Sequence, residues 1–404
     1  MRRRDWLTAA ASLAVLASVA APGFADDLPG VTATEIKIGQ TMPYSGPASA
    51  YGTIGKAELA YFNMINEQGG VNGRKIELMS LDDGYSPPKA VEQVRRLVEQ
   101  ENVAFLFNTL GTPSNSAIQK YLNEKKVPQL FVATGASKWG DPEHFHWTMG
   151  WQPDYRTEAR IFGKYILKNK PSAKIAILYQ NDDFGKDYVI GLKEILGDKA
   201  KTMVVQETSY ETSDPTLDSQ VVSLQGSGAD TLLVAATPKF AAQAIRKVYD
   251  IGWKPTFLLT DVSSSVGAVI TPAGPEKAVG IISANYGKDP GDPTWKDDAG
   301  LKQWRDFMAK YYPEGDVTDN NNIYGYGAAA TMVQVLKQCG NDLSRENVMK
   351  QAASLNDFDL PTLLPGIKVS TSPTQYYPIR QMQLESWDGK SWKLFGDVIS
   401  GEAS

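Results

Sequence analysis

Apolar residues along this chain recur with two periods that alternate. Glu35–Met42 (EIKIGQTM) alternates polar and apolar, as a half-buried strand does, and Ile76–Asp82 reads the same way. Val103–Phe107 and Val127–Val132 are short apolar runs, expected of strands buried on both faces. Helical spacing fills the gaps. One helix is predicted from about Tyr51 to Glu67, stopping at Gly69-Gly70. A second starts at Ser86 with Pro87-Pro88 behind it and places Val91, Val94 and Val98 on one face. A third starts near Pro113. Strand and helix repeated in this way through residue 137 predict a parallel, doubly wound sheet.

After a short segment around His144–Met149 the pattern restarts. Helices are predicted at Tyr155–Asn169, Lys186–Leu196, Leu217–Gln225 and from Pro238 to Ile251. Strands are predicted at Lys174–Tyr179, Lys201–Glu207, Thr231–Ala236, Phe257–Thr260 and Gly280–Ala284. Late helices follow at Trp304–Tyr312, Ile323–Cys339 and Arg345–Ser354, and the tail reads as a hairpin turning at Asp388-Gly389. The expectation is an α/β protein of two lobes, residues 34–150 with 285–372 and residues 151–284 with 373–404, linked by several crossings that would act as a hinge.

The stretch from Val103 to Ser137 carries the chemistry. Its two strands run out into Asn108-Thr109-Leu110-Gly111-Thr112 and Ala133-Thr134-Gly135-Ala136-Ser137, loops short of charge and rich in hydroxyls and glycine. Neighbouring parallel strands deliver both loops to the carboxyl edge of a sheet, where open α/β sheets bind ligands. Such loops can hold a carboxylate through O–H and N–H donors, or serve as ordinary strand-to-helix turns. Tyr51, Phe184 and Tyr326 fall at loops or helix starts, and Asp261 ends an apolar strand. Together they can wall and charge a cleft; singly, each reads equally as packing or a cap.

A chain of 404 residues exceeds what one core usually serves, and 42% hydrophobic with 22% charged residues is ordinary for a soluble globular protein. The formal charge of −5 favours neither nucleic acid nor an anionic membrane. Residues 1–25 read as a signal peptide: Arg2, Arg3 and Arg4, then apolar Leu7–Ala20, then Gly23-Phe24-Ala25 before the expected cut near Ala25. Arg3-Arg4 also fits a twin-arginine signal. Cys339 is the only cysteine, so no intrachain disulfide and no lipid anchor near the cleavage site are expected. The product is expected free in the periplasm.

No G-x-G-x-x-G follows the first strand, and there is neither a P-loop nor a G-x-S-x-G elbow. His144 and His146 are the only histidines; on a strand they would share a face, but a third metal ligand is missing nearby. Asp82-Asp83 and Asp182-Asp183 are carboxylate pairs at strand ends, suited to acid–base work or to solvated turns.

With those residues in view, the chain resembles the periplasmic solute-binding proteins of the branched-chain amino acid class, which serve ATP-binding-cassette importers. The likeness is carried by Ile36-Lys37-Ile38-Gly39, Ser45-Gly46-Pro47 with Tyr51-Gly52, Ile65-Asn66 with Gly69-Gly70-Val71-Asn72-Gly73, Asp82-Asp83, the two loops, and Tyr179 through Gly185. It implies the type I periplasmic binding fold, two lobes with three crossings that close on a ligand, no catalysis and no cofactor. It further implies that Thr112, with Leu110 and Gly111, and Ala133, Thr134 and Gly135 hold a carboxylate. Tyr51, Phe184 and Tyr326 would pack on the ligand, and Asp261 would meet its ammonium. Thr237-Pro238 replaces a loop that often bears tyrosine in leucine binders, and Asp261 stands where glutamate is usual; both point away from leucine-like ligands. The implied partners are a small ligand, an amino acid or aromatic carboxylate, and membrane permease subunits; the expected form is a monomer. An aromatic acid or amide without an α-amine, an enzyme on the same lobes and a soluble sensing module stay open as alternatives.

Overall fold

The computed structural model describes residues 28–401, so the leader expected at residues 1–25 lies outside the described residues. Its strands are β1 (Glu35–Met42), β2 (Lys75–Asp82), β3 (Leu106–Phe107), β4 (Gln129–Val132), β5 (Thr148–Gly150), β6 (Ile175–Gln180), β7 (Val204–Tyr210), β8 (Thr231–Ala235), β9 (Thr256–Leu259), β10 (Ile282–Asn285), β11 (Gln381–Trp387) and β12 (Trp392–Ser400). The first five form one sheet in the order β2-β1-β3-β4-β5, and every pair in it is parallel.

The second sheet runs β12-β11-β10-β9-β8-β6-β7. Its segment β7-β6-β8-β9-β10 repeats the strand order of the first sheet, although no sequence repeat links the two. The tail adds β11 and β12 as an antiparallel hairpin. The sheet is thus mixed at one end. The chain leaves the first lobe after β5 and returns after β10 to supply the helices Ala299–Tyr311, Asn320–Cys339 and Arg345–Ala352. It leaves again before β11.

In each sheet the strand order reverses between the first and third strands, β1/β3 and β6/β8. Such a switch point opens a crevice at the carboxyl ends of the strands. The loops that follow β1, β3 and β4 in one lobe, and β6, β8 and β9 in the other, are therefore directed to one place by topology alone.

Local chemistry agrees with the elements. Asp154, Asp182 and Asp319 cap the helices Tyr155–Asn169, Asp183–Leu196 and Asn320–Cys339 by accepting backbone N–H bonds. Proline occupies the first turn of the helices at Pro87, Thr112 and Pro238. Several expectations change: β5 forms where no strand is predicted, and the helices predicted from Lys186 and Trp304 begin at Asp183 and Ala299. The strand predicted at Val103–Phe107 shortens to Leu106–Phe107, although Ala104 N–H still reaches Lys37 O at 2.8 Å and Phe105 O still accepts Gly39 N–H at 2.9 Å. The strand predicted from Lys201 begins at Val204, because Ala200–Met203 closes a helical turn first.

Trp139, Trp151 and Trp304 sit fully inside the largest core. No helix among the described residues is long and apolar enough to cross a membrane.

Candidate functional site

The carboxyl edges of both sheets face a single cleft enclosing about 900 Å³, open solvent at its mouth included. Tyr51, Leu110, Gly111, Thr112, Ala133, Thr134, Phe184, Thr237 and Asp261 all line it. These residues come from loops and helix starts, with Tyr51 and Asp261 lying 210 positions apart in sequence.

On the first lobe the two polar loops are zipped together. Leu110 bridges Ala133 in parallel, Ala133 N–H donates to Thr109 O at 2.9 Å, and the Thr112 and Thr134 hydroxyls meet at 2.5 Å. Thr112 opens the helix Thr112–Glu124, so the positive end of that helix faces the cleft. Behind the loops, Asn115 holds the turn rigid: its Nδ2 donates to Thr109 O and Gly111 O, both at 2.9 Å, and its Oδ1 accepts from Gln129 Nε2 at 2.6 Å.

Aromatic rings make most of the remaining wall. Tyr51 donates its hydroxyl across the cleft to Val262 O at 2.9 Å. Phe184 packs on Tyr155 with ring centroids 4.8 Å apart, and Trp151 packs on Tyr324 at 4.9 Å. Burial raises the pKa of Tyr51, Tyr155, Tyr286 and Tyr324, so all four stay protonated as donors.

Two expected residues lie elsewhere. Tyr326 does not reach the cleft; its ring is buried edge-on against Tyr61 at 4.9 Å and against Phe307 at 5.0 Å. Tyr324 lines the cleft instead. The two positions differ by about 200° around a helix, and both faces of Asn320–Cys339 are buried, so pattern alone leaves its phase open. Gly135 also stays behind the wall. Its carbonyl accepts Tyr155 N–H at 2.8 Å, and a Cβ there would stand 2.8 Å from the Tyr155 ring.

Charge enters from the second lobe. Asp261 is half-buried, but its Oδ1 is closed off with no hydrogen-bond partner in the protein. Burial raises its pKa to about 6. The Glu158 side chain, the Val262 backbone N–H and the Thr260 side chain hydrogen-bond the carboxylate and oppose that rise. The cleft also touches Lys288, whose Nζ is engaged by Asp298 Oδ2 at 2.8 Å and Pro361 O at 2.7 Å.

The other acidic and imidazole groups fall into place more simply. Asp83 is fully buried rather than solvated: its Oδ1 accepts Tyr85 N–H at 2.8 Å, and burial lifts its pKa to about 6. Asp182 caps a helix, accepts from Gln180 Nε2 at 2.6 Å, and is likewise raised to about 6 by burial. His144 pairs with Asp141 at 2.9 Å, and no cluster of metal-ligating side chains occurs among the described residues.

Sequence reasoning passed over Tyr85, Trp151, Tyr155, Tyr286 and Tyr324 as cleft residues. Tyr85 was the most accessible, since it follows the strand-end Asp82-Asp83-Gly84. It has φ +60°, a rare conformation for a bulky side chain. Its hydroxyl accepts from Gln180 Nε2 of the other lobe at 3.3 Å.

Comparison with known proteins agrees with this architecture. Leu/Ile/Val-binding protein homolog 7 of Brucella suis biovar 1 (strain 1330) is 25% identical over 409 aligned residues, covering 97% of this chain and 96% of the relative. A branched chain amino acid ABC transporter protein from Thermus thermophilus with bound valine superposes with a TM-score of 0.82 at 16% identity, covering 91% of this chain and 97% of its own. A fatty acid ABC transporter substrate-binding protein from Thermomonospora curvata superposes at 0.79 with 23% identity, covering 93% and 95%. The family described as periplasmic binding protein matches residues 35–391, and with two lobes of one strand order facing a shared cleft, this chain belongs to it.

Proposed function

We propose that this protein is the substrate-binding component of an ABC importer and captures an α-amino acid with an apolar or aromatic side chain by closure of its two lobes. It works as a monomer that delivers the ligand to membrane permease subunits. The observation that carries this reading is the polarity of the cleft. One lobe offers hydroxyls and a helix N-terminus at Thr112 and Thr134; the other places the carboxylate of Asp261 on the cleft wall.

An ionised carboxylate in a closed cleft is costly unless a cation meets it. A zwitterion satisfies both ends, with its carboxylate at Thr112 and Thr134 and its ammonium at Asp261. The rings of Tyr51, Tyr155 and Phe184 then surround the side chain. The relatives named for leucine, isoleucine and valine binding, and the neighbour holding valine, support the amino-acid class.

A second reading keeps the carboxylate and drops the amine. It is favoured by the raised pKa of Asp261, about 6, which lets the residue turn neutral under mildly acidic conditions. The neighbour named for a fatty acid is in keeping with it. Calorimetry with L-phenylalanine, L-leucine and their deaminated analogues separates the two. At pH 8 the amino acids should bind at least about tenfold more tightly, the worth of one hydrogen-bonded charge. Equal or tighter binding of the analogues overturns the amino-acid reading.

A further inference from the structure

Glu158 is a buried acid that the ligand reading above leaves unused. It projects from the first turn of the helix Tyr155–Asn169 and is 1% exposed. Its Oε1 accepts the backbone N–H of Asp261 at 2.8 Å. Its Oε2 takes the hydroxyl of Tyr188, which also bonds the Thr260 hydroxyl. The carboxyl groups of Glu158 and Asp261 lie within hydrogen-bonding reach of each other, while Asp261 Oδ1 has no partner.

The titratable groups that face this pair come from every neighbouring element. They are Tyr155 on the same helix, Tyr188 on Asp183–Leu196, Tyr286 after β10, Tyr324 on Asn320–Cys339, Glu385 on β11 and Tyr51 from the first lobe. All are phenols or carboxyls, and the lysine that touches the cleft, Lys288, is paired with Asp298 at 2.8 Å. Two ionised carboxylates in contact in such a place would each be desolvated and each repel the other. One shared proton removes the repulsion and supplies the hydrogen bond between them. Glu158 is sealed, whereas Asp261 borders the cleft, so the charge belongs on Asp261 and the proton on Glu158.

We propose that Glu158 is the positioning residue for Asp261: it holds the one proton the two carboxyls share and leaves a single negative charge at the cleft wall, matched to a ligand with one ammonium. The pair deepens the amino-acid reading, and its ligand arm rests on that reading. Burial raises Glu158 well above the usual carboxylate range, with the Asp261 charge as the next cause, which agrees with the assignment. Capture of an ammonium is then linked to protons. Above pH 6 Asp261 is already ionised and binding moves no proton; below it, Asp261 must give its proton to solvent before the ammonium can bind.

Infrared difference spectra of the ligand-free protein at pH 8 test the pair directly. Wild type minus Glu158→Gln should show loss of a protonated carboxyl band and no loss of a carboxylate band. Loss of a carboxylate band instead overturns the proposal. Should Glu158→Gln fail to fold, wild type minus Asp261→Asn gives the complement, loss of one carboxylate band; loss of a protonated carboxyl there overturns it too.

The ligand arm uses L-phenylalanine and L-leucine in calorimetry at pH 5 and pH 8, in buffers of different ionisation enthalpy. Release of most of one proton at pH 5 and none at pH 8 is expected, and release of none at pH 5 counts against the pair. If neither probe binds at either pH, the amino-acid reading fails, while the infrared result still decides the pair.

Discussion

Gly111 and Tyr85 share one space. A Cβ on Gly111 would lie 2.6 Å from Tyr85 Cε2, and Gly111 holds φ +96°, where side chains are strained. Tyr85 is itself held at φ +60° by Asp83 Oδ1, so it has little freedom to retreat. The contact fixes the donor loop of one lobe against an aromatic wall of the cleft. Gly111→Ala should therefore lower stability by about 1–3 kcal/mol through backbone strain and overpacking. Ligand affinity should fall at least about tenfold, because a kcal-scale displacement falls at the binding loop. Thermal unfolding and calorimetry on the same preparation check both.

Thr112→Ala should remove one hydrogen bond to the ligand carboxylate. The expected cost is about 1.5–3 kcal/mol, or ten- to a hundredfold in affinity. Thr134 loses its hydroxyl partner at the same time, so stability should fall slightly as well. Unchanged calorimetric affinity would remove Thr112 from the binding site.

Asp261→Asn should weaken binding of an amino acid much more than binding of its deaminated analogue, by roughly tenfold or more for one charge-assisted bond. Competition between L-phenylalanine and 3-phenylpropanoate at pH 8 reads the ratio. A substitution that weakens both equally, or neither, shows that Asp261 does not meet an ammonium.

Asp83 gives a pH dependence that needs no ligand. Its folded pKa of about 6 lies above the unfolded carboxylate value of 3.8. A raised pKa means that the folded state holds the proton more tightly. The stability this confers is complete below about pH 4 and is lost as pH rises through 6. Asp83→Asn removes the charge and keeps an acceptor for Tyr85 N–H. The variant should match wild type near pH 4 and exceed it by about 1–3 kcal/mol at pH 8. Urea unfolding at the two pH values checks the sign, and a variant less stable than wild type at pH 8 contradicts the burial argument.

Tyr51 ties the lobes together through its bond to Val262 O. Tyr51→Phe removes that bond and leaves the ring, so the closed form should lose about 0.5–1.5 kcal/mol. Wild type should compact in X-ray scattering when ligand is added, as hinge-closing binders do. Tyr51→Phe should need more ligand for the same compaction. Identical profiles with and without bound ligand would rule out closure.

What the sequence determined by itself is local or topological. Period-two and helical spacing placed most of the strands and helices of both lobes, with proline marking helix starts such as Pro113. Two apolar strands ending in the loops at Asn108–Thr112 and Ala133–Ser137 implied a shared sheet edge, because parallel neighbours must end on the same side. Tertiary structure decided everything that depends on the phase or depth of an element. Tyr324 rather than Tyr326 faces the cleft because packing against Tyr61 and Phe307 sets the rotation of a helix buried on both faces. Asp83 is buried, although an aspartate pair at a strand end reads as solvated, and its carboxylate turns inward to accept the N–H of Tyr85 at a left-handed turn. Glu158 gave no signal at all on an amphipathic helix. Only the approach of β9 across 103 positions brings Asp261 to it, and a contact between distant segments leaves no trace in local spacing.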